Sequence, residues 1–352
     1  MSANNTFVPV ASIIKIFILL SLLTLSSKSE ENKNKSFSND RGILSIMYHR
    51  FDEIKYPSTN IRMEIFKKHM DIISKKNYSF LSPKEFDDKF SEKKITKKVL
   101  ITIDDGFSSF YEKAWPYLKE KEIPFILFIS TEAIGKNGYM NWDEIKEIER
   151  ESFAFIGNHS HSHDYLLDLT FDEFKTDIIK SVKVFKDNLG YNPIFFSYPF
   201  GEFNNNQISF IKKNFKYGFG QHSGVIDVNK NPFELPRFPI NEKYGDLERF
   251  EFIIDLLPLE YKKITPEDKY ITNNNPPKLE ITFFKDQKNL ENINCFSDEG
   301  NDWKKTKIKF QNNKLLVDFS DKFLFRRGRI NCSLNDKEGW RWLGLQFSVK
   351  LN

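Results

Sequence analysis

From residue 42 the chain alternates short apolar runs with longer stretches of helical period. ILSIMY (43–48), VLITI (99–103), PFILFIS (124–130), FAFIG (153–157), IFFSY (194–198), YGFG (217–220) and LPRFPI (235–240) are near-continuous apolar runs. Parallel strands covered on both faces read this way. Between them, Phe171, Phe174, Ile178, Val182, Phe185 and Leu189 recur at helical spacing and predict a helix over 171–189. Asn141, with Glu144 three residues on, predicts a capped start for a helix beginning at Trp142. Strand then helix, about seven times over, predicts a parallel α/β barrel rather than a sandwich.

The pattern changes after PLEYKKITPEDKY. From about residue 275, KLEITFF, KIKFQ, KLLVDFS and LGLQFSV alternate apolar and polar positions, with polar turns between them and no helical period. This predicts an all-β domain over 275–352 appended to a larger domain over 42–255. The only two cysteines, Cys295 and Cys332, both fall in the β segment, in echoing surroundings (INC, then an acidic turn and Trp303 or Trp340). In an oxidising compartment they can pair; spacing alone does not say whether they do. Trp303, Trp340 and Trp342 are either core of this domain or a carbohydrate platform.

At the other end, Lys15 precedes the apolar run Ile16–Leu25, and SSKS follows. That order describes a signal peptide or N-terminal anchor over 1–27. Residues 28–41, rich in Lys and Asn, read as a linker. Export to a periplasmic or extracellular location is expected, with a membrane tether through the apolar segment as the alternative. Net charge is only +4, from 53 basic and 49 acidic residues spread along the 352-residue chain. No basic stripe is available to grip nucleic acid.

The chemistry begins at TIDDGF, where Asp104 and Asp105 follow a predicted buried strand. A charge buried at a strand end is costly unless a cation or proton offsets it. In a parallel barrel, residues just past the C-terminal strand ends converge on one face. GNHSHSHDYL follows the strand FAFIG and brings His159, His161 and His163 to that face. On a helical turn, the spacing of four would let His159 and His163 reach one ion while His161 points away. Either feature alone is also what a solvated turn or helix-capping histidines look like; together, on one edge of the sheet, they point to a metal site. A cation would explain the paired acids, one binding it and the other free to take a proton. His69, in FKKHMDII, reads as a surface position.

TIDDGF resembles the T-F-D-D-G motif of the polysaccharide deacetylase (NodB-homology) family, carbohydrate esterase family 4. HSHSH resembles its H-[ST]-x-x-H motif, and FSYPFGEFN (196–204) its R-x-P-Y-G motif, all in the family's order over roughly 42–250. The resemblance implies a distorted (β/α)7 barrel of NodB type, here with the small all-β C-terminal domain. It implies that Asp105, His159 and His163 hold a divalent metal, usually zinc, with cobalt, nickel or iron suiting the same ligands. Asp104 would be the general base. The backbone N–H of Phe200 would be the oxyanion donor, with Pro199 shaping the turn in the substrate site, and Trp142 could stack on a sugar ring.

The opening ILSIMYHRF resembles circularly permuted, exported members of the family. His49 is therefore the candidate general acid, and His222, in GFGQHSG, the alternative. One position departs from the family pattern: its third-motif arginine is replaced by Ser197. Arg237, in ELPRFPIN, is the candidate substitute, or else a structural salt-bridge partner. The function implied is metal-dependent removal of N-acetyl groups from an N-acetylglucosamine-containing polysaccharide. An O-acetyl esterase and a catalytically silent glycan-binding relative are the alternatives, the latter suggested by Ser197.

Overall fold

Three apolar runs lie side by side as almost wholly buried strands: β1 (Gly42–Tyr48), β2 (Lys98–Ile103) and β3 (Phe125–Ile129). The computed structural model describes residues 42–92 and 98–350, so the predicted signal segment and linker lie outside the described residues. β4 (Ala154–Asn158), β5 (Phe195–Ser197) and β6 (Tyr217–Phe219) continue the sheet in the order β1-β2-β3-β4-β5-β6, every neighbour parallel. β7 (Val225–Asp227) adds to the outer edge of β1 in the antiparallel sense.

The last predicted strand, LPRFPI, closes the curve. Leu235 bridges Phe219 of β6, and Phe238–Pro239 (β8) pairs with Ile46 and Met47 of β1. The ring so formed is a distorted parallel α/β barrel. Its helices begin where the sequence says they should. Asn141 and Thr170 each form a full capping box, with Glu144 and Glu173, at the starts of Trp142–Glu149 and Phe171–Leu189.

Strand alternation decides what reaches the barrel mouth. Leu44, Ile46 and Tyr48 of β1, Val99, Ile101 and Ile103 of β2, and Ala154 and Ile156 of β4 pack outward in one core with the helices. Ile43, Leu100, Phe155, Phe195 and Leu235 belong to a second core, on the inner face. Successive side chains on a strand point to opposite faces. Counting by twos along the inner face therefore leads to His49, Asp104, His159, Ser197 and Arg237 at the C-terminal strand ends.

His69 is buried, contrary to its reading as a surface position. It stacks on Phe250 at 3.9 Å, with Nδ1 3.1 Å from the Tyr48 hydroxyl and Nε2 2.9 Å from the Gly245 carbonyl. Lysines flank it in sequence, but the helix Met63–Lys75 presents Phe66, His69, Met70 and Ile73 together to the core.

From Leu257 onward the described residues form strands in two further sheets, six-stranded and four-stranded, with their own apolar core. The two longest strands, β9 (Arg327–Asp336) and β10 (Gly339–Val349), make one antiparallel hairpin. Cys295 and Cys332 face each other across paired strands and are joined by a disulfide. This β module and the barrel fall in one compact unit. They meet closely: a Cβ on Gly344 of β10 would lie 2.0 Å from the Ser223 carbonyl oxygen, so only glycine fits there. Trp303 and Trp340 are each 43% exposed on the module surface.

Candidate active site

Asp104 leaves the end of β2 still on its inner face and is fully buried. Arg237 meets it with both arms, Nη1 2.7 Å from Oδ1 and Nη2 2.8 Å from Oδ2. The same guanidinium donates to the Gly220 carbonyl, the Thr102 hydroxyl and the Ser197 hydroxyl. Burial is the largest influence on the Asp104 pKa and works to raise it, but Arg237, together with the nearby His159 and His49, holds the carboxyl below its usual range. Ser197 occupies the strand-end position where the family's arginine would stand, and its hydroxyl lies 3.4 Å from Asp104 Oδ2. The cationic partner of Asp104 thus arrives from the strand that closes the barrel rather than from the third motif.

Asp105 would face outward if β2 continued. Instead the chain turns: Asp105 has φ 77° and Gly106 φ 79°, which returns the second carboxylate to the mouth. There Oδ1 of Asp105 lies 3.4 Å from His159 Nε2 and 3.0 Å from His163 Nε2. These three atoms lie within 4.8 Å of one another.

The two histidines do not share a helical turn. Residues 159–163 form a loop with Ser160 and His163 at positive φ. Side chains take the place of helical bonds: Asp177 accepts from the His161 and Ser162 amides, Asn158 from the Ser160 amide, and Ser160 Oγ from the His163 amide. The loop keeps His161 out of the cluster, where its Nδ1 bonds Thr131.

The donor set fits a divalent cation. His159 Nδ1 lies 2.7 Å from the Ser197 carbonyl, which can only accept, so Nδ1 donates that bond and Nε2 is the ring nitrogen turned toward Asp105. His159 Nε2 and Asp105 Oδ1 are both buried without a hydrogen-bond partner. Buried polar atoms are rarely left so. Burial disfavours charge on Asp105 and on His163. At Asp105 the neighbouring His159, His163 and His49 outweigh it and lower the pKa well below its usual range; at His163 the charges of Asp105 and Asp104 outweigh it and raise the pKa. Two imidazoles and one carboxylate form a set that leaves further coordination positions open.

His49 continues the inner face of β1, and its Nδ1 is likewise enclosed without a partner. Burial lowers its pKa, while the Asp105 and Asp104 charges pull it back up. His222 is not gathered into the cluster: it lines a cavity with Lys230, Glu234 and Lys269, and burial pushes its pKa down to about 3. Trp142 packs its partly buried ring on the outer core.

The third motif makes the rim. Pro199 is buried, and Phe200 follows it in a left-handed conformation, φ 59°. Gly201 continues the turn at φ 67°, where a Cβ would lie 2.5 Å from the Gln221 nitrogen. The Phe200 ring stands edge-on to His163 at 4.9 Å and stacks on Tyr165 at 4.2 Å. Sequence reasoning missed Tyr165, two residues past the histidine motif, and three module residues that touch this rim, Arg326, Arg327 and Gln346.

A carboxylate paired with a buried arginine, next to an Asp-His-His cluster that could hold a cation at the mouth of a parallel barrel, is an arrangement suited to hydrolysis. Residues 91–217 match the family model described as polysaccharide deacetylase. The poly-beta-1,6-N-acetyl-D-glucosamine N-deacetylase of Staphylococcus aureus (strain MSSA476) is 24% identical over 276 residues, covering 69% of this chain and 93% of the relative. Among solved structures, IcaB from Ammonifex degensii aligns with a TM-score of 0.54 at 22% identity, over 61% of this chain and 97% of that one. The Streptococcus pyogenes deacetylase PplD in complex with acetate gives 0.54 at 22% identity, over 58% and 95%. The chain is thus similar to polysaccharide deacetylases over residues 91–217, and to relatives whose reaction is hydrolysis of the carbon–nitrogen bond of an N-acetyl group.

Proposed function

We propose that this protein removes N-acetyl groups from a polymer containing N-acetylglucosamine, using a divalent metal ion held by Asp105, His159 and His163. The observation that carries the reading is the convergence of those three side chains, two with orphaned ligand atoms, beside the arginine-held Asp104. The similarity to a poly-beta-1,6-N-acetyl-D-glucosamine N-deacetylase supports the substrate class. Zinc suits two imidazoles and a carboxylate, as do cobalt, nickel and iron.

When bound, the metal would polarise the acetamide carbonyl and make a nearby water acidic. Asp104, kept ionised by Arg237, takes the proton from that water as general base. The Phe200 N–H, aimed by the Pro199–Gly201 turn, would stabilise the negative charge on the carbonyl oxygen. His49 donates a proton to the leaving amine; it is preferred to His222 because it lies on the inner face with the two aspartates. With Arg237 on Asp104, Ser197 no longer favours the catalytically silent alternative. We take the barrel, 42–255, as the catalytic domain, 275–352 as the accessory domain and 1–27 as an export or anchoring signal.

The test is acetate release from N-acetylglucosamine oligomers by protein lacking residues 1–27, after chelation, after zinc or cobalt addition, and with Asp104→Asn in parallel. Release that needs metal and falls by about 10²–10⁴ in the variant is expected. Tight metal binding with no release on amide substrates, but release from O-acetylated glycans, would turn the reading to an esterase.

A further inference from the structure

The Phe200 turn is gripped from outside the barrel. Gln346, on β10, directs its Nε2 at the carbonyl oxygens of both Phe200 and Gly201, 3.1 Å from each. Arg326, immediately before β9, places Nε 3.0 and 2.8 Å from the two oxygens of the buried Glu202 side chain, the residue after Gly201. Its Nη1 and Nη2 form a fork on Asp168, 2.9 Å each. The guanidinium also lies 4.0 Å above the Tyr165 ring. Tyr165 stacks on Phe200, and Phe200 abuts His163. An unbroken line of contacts thus runs from two module residues to an imidazole of the candidate metal site.

The turn has reason to need such a grip. Phenylalanine is poorly suited to the left-handed conformation it holds. A strained segment of this kind persists only where its surroundings over-determine it. From inside, the Gly201 amide donates to the Tyr198 carbonyl at 2.9 Å and the Glu202 amide to the Pro199 carbonyl at 3.2 Å. From outside, Gln346 fixes the next two carbonyls, and Arg326 fixes the side chain that follows. The two sets of bonds take up different groups, so neither replaces the other.

We propose that Gln346 and Arg326 are positioning residues: the β module holds the Phe200 turn so that its N–H is aimed into the barrel mouth. The module is then a structural part of the active site, not an independent unit beside it. The kinetic half of this inference rests on the deacetylation reading above.

The test uses the full chain with Gln346→Leu, which keeps bulk and removes the donor, and Arg326→Lys, which keeps charge and cannot fork two carboxylates. Hydrogen exchange of the amides in 198–203 is expected to speed up at least about tenfold in each variant, with amides of β1 and β2 unchanged. For acetate release, kcat is expected to fall about tenfold or more with KM held within about twofold, since a misaimed donor costs the transition state rather than binding. Unchanged exchange at 198–203 in both variants would overturn the clamp whether or not the wild type hydrolyses anything. Faster exchange there with an unchanged kcat would overturn the positioning role. Exchange that rises throughout the barrel would replace a local clamp with general loosening, and so overturn it too. Faster local exchange in a protein whose wild type releases no acetate would support the clamp and remove the deacetylation reading instead.

Discussion

At the floor of the barrel mouth, Asp104, His159, Ser197 and Arg237 are fully buried and bond mainly to one another. At the rim, Tyr165 stays 37% exposed, and the contacts around it are ring faces and ion pairs reaching in from a separate module. Floor residues arrive as continuations of strands whose other inner positions are core. Rim residues arrive on turns and depend on partners more than a hundred residues away. Charge at the floor is desolvated, so removing one partner leaves the other buried and alone. Charge at the rim is mixed: Glu202 is buried, but Asp168 is exposed and Arg326 partly so, and exposed pairs contribute little to stability. The floor should therefore couple chemistry to stability, while the rim should separate them.

Arg237→Met is the most severe way to test that coupling. Leaving Asp104 buried without its guanidinium should cost about 3–5 kcal/mol of stability and most of the activity. The sign of the pH effect follows from the causes at Asp104: burial raises its pKa and Arg237 lowers it. Without the arginine the carboxyl titrates higher, so the rising limb of the pH–rate profile should move to higher pH. Denaturant midpoints and the pH profile of whatever activity survives would check both; a variant as stable as wild type would break the comparison.

His49→Gln should act on chemistry alone. Only an amine leaving group strongly needs an acid, so release from amide substrates should drop about 10²-fold or more while release from an ester changes much less. Equal losses on both would remove His49 as the acid. At the rim, Tyr165→Ala should leave the denaturant midpoint nearly unmoved and raise KM for oligomers a few-fold, through loss of the ring stacked on Phe200. A large stability loss here would mean that the rim is as much core as the floor.

The smallest effect on activity is expected far from the mouth. His69 has its pKa lowered to about 4, chiefly by burial. A histidine that protonates more readily when unfolded makes stability fall as pH drops from about 6.5 towards 4, here by roughly 2 kcal/mol at pH 5. His69→Phe should flatten the difference between urea midpoints at pH 7.5 and pH 5 without changing acetate release.

Much of the floor is legible in the amino-acid sequence. Apolar runs mark the strands, and paired acids or clustered histidines after such runs mark the mouth. Arg237 could be singled out because it lies in a predicted strand. The loop carrying His159 and His163 could not be foreseen as non-helical, because the carboxylate that replaces its helical bonds is Asp177, on the following helix. Nor could the rim: Arg326 and Gln346 lie 124 and 146 residues from the groups they hold, in a segment whose alternation speaks only of its own sheet. His69 was misread by its lysine neighbours. The apolar period Phe66, Met70 and Ile73 around it was the better guide.

The inner-face alternation also says which kinds of genetic change this barrel can absorb. His49, Asp104, His159, Ser197 and Arg237 keep an even count from core residues on their own strands. A single-residue insertion or deletion within 98–103 would turn Asp104 toward the helix layer and an apolar side chain toward the mouth. A change of two residues would preserve its facing. Length variation among descendants of this chain should therefore gather in loops, and where it enters these strands it should come in pairs.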